Sequence, residues 1–146
     1  MLTREDVDSF LLRLEQEYRE VETGMWVVQS GMDGAGLVIH YSPPLLLLRV
    51  RVMEVPGEER ACARLYRRLL ELNATDLVHG AYGIDGDDVI LSESLELENL
   101  DFSEFQASID SMQLALASHL EALSPFRDCG ETENREQGAS APSPAS

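Results

Sequence analysis

Apolar residues recur at helical spacing from the start of the chain: Val7, Phe10, Leu11, Leu14, Tyr18 and Val21 fall on one face. Glu5, Asp8, Arg13, Glu15, Glu17, Arg19 and Glu20 fill the other. The pattern predicts a helix over residues 3–22, capped by Thr3 with Asp6 three positions on. The period then shortens. Residues 25–30, 37–41 and 45–53 read as strands, joined by the loop Gly31-Met32-Asp33-Gly34-Ala35-Gly36 and by Ser42-Pro43-Pro44. Links this short favour an antiparallel meander.

A second helix is expected to open at Pro56, because proline suits a first helical position, and to run to about residue 72. Ala61, Cys62, Leu65, Leu69 and Leu72 form its apolar stripe, and Asn73 is its stop. A hairpin follows, with strands over 77–84 and 89–97 about the turn Asp85-Gly86. The last helix begins at Asp101 with Glu104 in a variant capping box. It carries Phe105, Ile109, Met112, Leu116, Leu120 and Leu123 on one stripe, and Pro125 is expected to end it. Residues 126–146 are rich in Gly, Glu, Ser, Ala and Pro without hydrophobic period, and read as a disordered polar tail. The fold class is therefore α+β: helix, three antiparallel strands, helix, two strands, helix, in one domain over residues 1–125.

Two places in this pattern ask for a partner. Alternation along the third strand puts Leu46, Leu48, Val50 and Val52 on one side, and Leu45, Leu47, Arg49, Arg51 and Met53 on the other. A strand apolar on both sides is either covered twice or carries a surface patch, and a patch would leave Leu45, Leu47 and Met53 at the surface. The second helix concentrates Arg60, Arg64, Arg67 and Arg68. They either form a solvated face paired with Glu59 and Glu71, or meet an acidic surface of a second subunit.

Charge narrows the partners. The chain has 146 residues, 27 acidic and 11 basic, the basic ones all arginine, for a formal net charge of −16. Such a surface repels phosphate backbones and anionic lipid, so neither nucleic acid nor a membrane is expected as partner. It favours solubility and cationic segments of other proteins. No stretch is apolar for the roughly 18–20 residues of a membrane span. The first residues go straight into an amphipathic pattern without a secretory layout, which implies a cytoplasmic protein. Cys62 and Cys129 give no disulfide framework. The sequon Asn73-Ala74-Thr75 carries no weight without export.

No catalytic or metal pattern stands out. Counting an EF-hand loop from Asp85 puts Val89 at position 5 and Ile90 at position 6, where an oxygen ligand and glycine are required. Gly31, Gly34 and Gly36 lack phosphate-loop spacing. His40, His79 and His119 are scattered, Ser30 and Ser42 have no nucleophile elbow, and Cys62 lies on an apolar stripe. We expect no metal, no cofactor and no enzyme activity. An enzyme would need a closed pocket assembled from distant residues.

One run of local motifs resembles a known family. Leu69-Leu70-Glu71-Leu72-Asn73, Tyr82-Gly83-Ile84-Asp85, Val89-Ile90-Leu91 and Leu97-Glu98-Asn99-Leu100-Asp101 look like the YbjN-like group, which is similar in fold to the class I chaperones of type III secretion. The resemblance covers about residues 3–124 and is strongest over 65–110. It implies a small acidic homodimer without catalysis, holding an extended apolar segment of another protein. The family's dimers form through the second helix and the next strand, which here implicates Ala61, Arg64, Leu65, Arg68, Leu69, Leu72, Val78 and Tyr82. Its partners lie against the first helix and the sheet, here Leu11, Leu14, Leu45, Leu47, Arg49 and Met53. The YbjN-like members also leave open a regulatory adaptor for signalling or stress responses.

Overall fold

The computed structural model describes residues 1–29 and 36–140, with side chains to residue 127. The first helix, α1, spans Arg4–Leu14. The expected capping box forms: the Thr3 hydroxyl accepts from the Asp6 amide at 3.2 Å, and the Thr3 amide donates to the Asp6 carboxylate at 2.8 Å. The carboxylate is shifted below its usual value by the bonds from the Thr3 backbone and side chain. The helix ends eight residues before the expected 22. Glu15 turns left-handed (φ 61°), and Tyr18–Glu22 becomes a strand, β1. Tyr18 and Val21 fit a helical stripe by spacing alone; as a strand the segment hydrogen-bonds a neighbour, and Val21 is left exposed.

β2 (Met25–Gln29), β3 (Gly36–Ser42) and β4 (Leu45–Glu54) make the meander. The β3–β4 turn contains a cis Pro43–Pro44 bond. Ser30 and the loop over 31–35 lie outside the described residues. α2 (Glu59–Thr75) starts three residues after Pro56, where Glu58 caps it by accepting from the Ala61 amide at 3.3 Å. It also runs past Asn73, whose side chain is engaged elsewhere. β5 (Ala81–Asp85) is shorter than expected, and β6 (Asp88–Glu96) pairs with it across a two-residue turn. Gly86 takes φ +61° at the first turn position, which a side chain would resist.

All pairings are antiparallel, in the order β1-β2-β3-β4-β6-β5. Among the described residues the sheet thus has six strands rather than five, and the fold is α+β as expected. Trp26, Val28, Leu37, Ile39, Leu46, Leu48, Val50, Val89 and Leu91 point to one face. Val7 and Leu11 of α1, Leu65, Leu69 and Leu72 of α2, and Phe105, Ile109 and Met112 from the last helix join them in a single core. Phe10 seals the α1 end against Phe102 and Phe105, with ring centroids 5.8 and 5.5 Å away.

The last helix, α3, spans Phe102–Ser140, with Asp101 accepting from the Glu104 amide at 2.8 Å. It continues through Pro125 instead of stopping there. Proline leaves the carbonyl of residue 121 without its helical donor. The Ser124 hydroxyl supplies one, at 3.2 Å from the Glu121 oxygen. The domain also reaches beyond residue 125: Phe126 packs on the core, and Arg127 donates to the Val52 carbonyl at 3.2 Å. Of the expected tail, the backbone to Ser140 is helical, while the side chains of 128–140, Cys129 included, and residues 141–146 lie outside the described residues.

Candidate protein-binding site

The helices cover one face of the sheet; the opposite face presents the alternate residues of the same strands. Register aligns Val27, Val38 and Arg49 in one row, and Met25, His40 and Leu47 in the next. Leu45 extends the apolar area along β4, and Ile90 stands beside Arg51 on β6. Val27, Val38, Leu45, Leu47 and Ile90 are half-buried, shielded by neighbouring strands and not by the helix-side core. Gly36 serves this face, since a Cβ there would stand 2.3 Å from a Val27 methyl.

Charge borders the patch on the β6–β5 side. Arg49 pairs with Asp85, and Arg51 bonds Asp88 at 2.9 Å with Glu54 3.6 Å away. The acidic hairpin turn that suggested calcium therefore anchors two arginines. These are exposed pairs and contribute about 0.2–1 kcal/mol each, so they shape the face more than they stabilise the fold.

Half of the expected partner-binding set lies on this face and half does not. Leu45, Leu47 and Arg49 lie on it; Leu11, Leu14 and Met53 are buried in the core. Met53 fails for a definable reason. The β4–β6 register shifts between Arg51 and Met53, and the bulge turns Met53 inward, opposite to strict alternation. Met25, Val27, Val38 and Ile90 were missed, although the same period-2 reading of β2, β3 and β6 would have found them.

The proposed dimer set divides in the same way. Ala61, Leu65, Leu69, Leu72 and Tyr82 are buried within the subunit, so they cannot meet a second one directly. Arg64, Arg68 and Val78 reach solvent, Val78 at 83% exposure. The outward stripe of α2 is instead Tyr66 (39% exposed) and Leu70 (68%), four residues apart. Arg67 and Arg68 both approach Glu71 at 3.7 Å, as the solvated-face reading supposed, while Arg60 and Arg64 have no ion pair among the described residues.

A polar chain runs under the α2 end of the sheet. The Tyr82 hydroxyl stands 2.6 Å from His119 Nδ1, and His119 Nε2 stands 3.5 Å from Asp76. The hydroxyl–imidazole–carboxylate order resembles a nucleophile, base and orienter. Burial, and then the Asp76 charge, push the Tyr82 phenol up to about 12, so it stays a protonated donor and not a nucleophile. The chain is a lock between β5, α2 and α3. Ionisation of Tyr82 is favoured only in the unfolded chain, so stability should fall as pH rises from its ordinary value near 10 to about 12. Tyr82 should give a late step in tyrosinate absorbance, and Tyr82→Phe should remove it. At neutral pH the substitution should cost about 1–3 kcal/mol, because His119 Nδ1 loses its donor. Tyrosinate absorbance that is complete near pH 10, with no later step, would contradict this assignment.

The other titratable candidates are engaged separately. His79 stands 3.3 Å from Glu93, and the Cys62 thiol donates to the Pro56 carbonyl at 2.8 Å. Among the described residues no three His, Cys, Asp or Glu side chains are grouped to hold a metal ion, and no helix is long and apolar enough to cross a membrane.

The family model CesT_Tir_1 matches residues 2–128. Solved structures share the fold. YbjN from E. coli superposes with a TM-score of 0.62 at 13% identity, over 83% of this chain and 93% of that one. A chain of the heterodimeric ExoU–SpcU complex, from the type III secretion system of Pseudomonas aeruginosa, gives 0.60 at 16% identity, over 83% and 97%. A chain of the structure of the Yersinia pestis type III secretion chaperone SycH with a stable fragment of YscM2 gives 0.55 at 17% identity, over 80% and 98%. No curated protein matches the sequence significantly.

Proposed function

The chain belongs to the CesT_Tir_1 family of type III secretion chaperones, and from that premise we propose that it is a non-enzymatic module that holds an extended, apolar segment of a partner protein. The observation that carries this reading is the two-sidedness of the sheet. One face is covered by the helices; the other offers Val27, Val38, Leu45 and Leu47 in adjacent register, and among the described residues no helix side chain packs on them. Contiguous apolar surface of this kind, rimmed by charge, is the usual mark of a protein-binding site. An extended segment fits it better than a helix, because successive rows offer shallow steps at strand spacing. Complexes with a second protein, as in the SpcU and SycH structures, support the same reading.

The net charge of −16 selects among apolar segments. It favours those flanked by lysine or arginine and keeps the open face from aggregating. The subunit works as a homodimer in this proposal, with Tyr66, Leu70 and Val78 against their counterparts and Arg64 meeting acidic groups of the second copy. Those three exposed apolar residues lie on α2 and the segment after it, the region that the resemblance implicates.

The test is a fluorescence titration of the full chain with labelled extended peptides of alternating apolar residues, with and without basic flanks. Saturable binding that weakens with salt, and that protects β2–β4 from hydrogen exchange, is the expected result. Absence of saturation with every apolar peptide, or protection confined to the helices, would overturn the proposal.

A further inference from the structure

A sheet edge is a row of unpaired peptide groups, and proteins that stay soluble blunt it with charge or cover. The two edges here are treated differently. β1 carries Arg19, Glu20 and Glu22, three charges in five residues. β5 is uncharged from Ala81 to Ile84, and Ile84 is 44% exposed beside it. Left bare, that strand would be self-complementary to its own copy.

It is not bare at its centre. Tyr82 faces Leu91 in the ladder, and the alternation of an antiparallel pair turns its own N–H and C=O outward, away from β6. Both groups are taken by one side chain. The Tyr82 amide donates to Asn73 Oδ1 at 2.7 Å, and Asn73 Nδ2 donates to the Tyr82 carbonyl at 3.2 Å. A carboxamide has the donor and acceptor of a peptide group, so Asn73 makes the two bonds that a residue of an added strand would make. The groups of Ile84, the next outward position, meet no such side chain among the described residues.

We infer that Asn73 is a built-in plug of the β5 edge, which keeps this uncharged strand from pairing with the β5 strand of a second copy of the chain. Its place on the last turn of α2 is fixed by the contact of Asp76, three residues on, with His119. The plug explains why α2 runs past Asn73. The inference is independent of what binds the open sheet face, and it leaves the proposed dimer to the side chains of α2 and Val78, without backbone pairing along β5.

Amide hydrogen exchange and light scattering over a range of concentrations, on the full chain, test it. In the natural sequence the Tyr82 amide should exchange at least about tenfold more slowly than that of Ile84. In Asn73→Ala the difference should vanish, and a concentration-dependent larger assembly should appear. Adding Ile84→Lys should remove that assembly, since a charge on the edge replaces the plug. Should Asn73→Ala fail to fold, Asn73→Ser gives the same readouts, its hydroxyl being too short to span both groups. Equal exchange of Tyr82 and Ile84 in the natural sequence would overturn the inference. So would a variant with a fast Tyr82 amide and an unchanged assembly size at every concentration.

Discussion

Leu65→Asp is expected to leave the chain unfolded, whereas Leu70→Asp, one and a half turns along the same helix, is expected to keep the fold and lose the proposed dimer. Leu65 is fully buried in the core formed with the sheet. A carboxylate there exchanges several kcal/mol of apolar burial for an unpaired buried group. Domains of this size are stable by about 5–15 kcal/mol in total, so little would remain. Leu70 is 68% exposed, and a surface substitution there changes stability by about 0.5 kcal/mol or less. Thermal melts followed by circular dichroism, with light scattering for mass, separate the two. A cooperative melt of Leu65→Asp near that of the natural chain would remove the core assignment; an unchanged dimer in Leu70→Asp would remove α2 as the interface.

The same pair shows what the sequence could and could not tell. The stripe Ala61, Cys62, Leu65, Leu69 and Leu72 was legible from its spacing, and the structure buries all of it but Cys62, which is half-buried. What covers a stripe is not written in its period. A helix facing its own sheet and a helix facing a second copy have one pattern, so the family's dimer region was projected onto core residues. Tyr66 and Leu70 break the polar face only as isolated apolar residues, a signal too common on surfaces to argue from.

Errors in the strands have local causes. Residues 18–22 satisfy helical spacing through Tyr18 and Val21, and only the left-handed turn at Glu15 shows where the helix ends. Glutamate gives no sequence signal for that conformation, unlike glycine. Met53 was assigned by alternation, which holds from Leu45 to Arg51 and fails at the bulge. Pro125 was taken as a stop because the compensating bond from Ser124 belongs to backbone geometry. Asn73 was read as a helix end, its usual role; its bonds to Tyr82 span the link to β5 and have no local motif. The antiparallel meander and the hairpin needed only short links, and the two sides of β4 up to Arg51 only the period of two; the β4–β6 pairing and which side the helices cover had no signal in the sequence.

That period makes the sharpest test of the open face, because neighbouring leucines point opposite ways. Leu47→Asp is expected to weaken binding of an extended apolar peptide at least about tenfold, equivalent to 1.4 kcal/mol, with a melting temperature lowered by only a few degrees. Leu48→Asp is expected to unfold the chain. Leu48 is fully buried between Ile39 and Glu93 in the ladder, under the helices, while Leu47 lies half-exposed between His40 and Ser94 on the far side. A carboxylate at 47 stays hydrated, so the fold loses little. The cost falls on the ligand, whose apolar side chain would meet a charge that it cannot pair. Adding Val38→Asp in the diagonal row should deepen the loss without unfolding. If Leu47→Asp binds apolar peptides as the natural chain does, the peptide lies elsewhere, and the bare face of the sheet is no site.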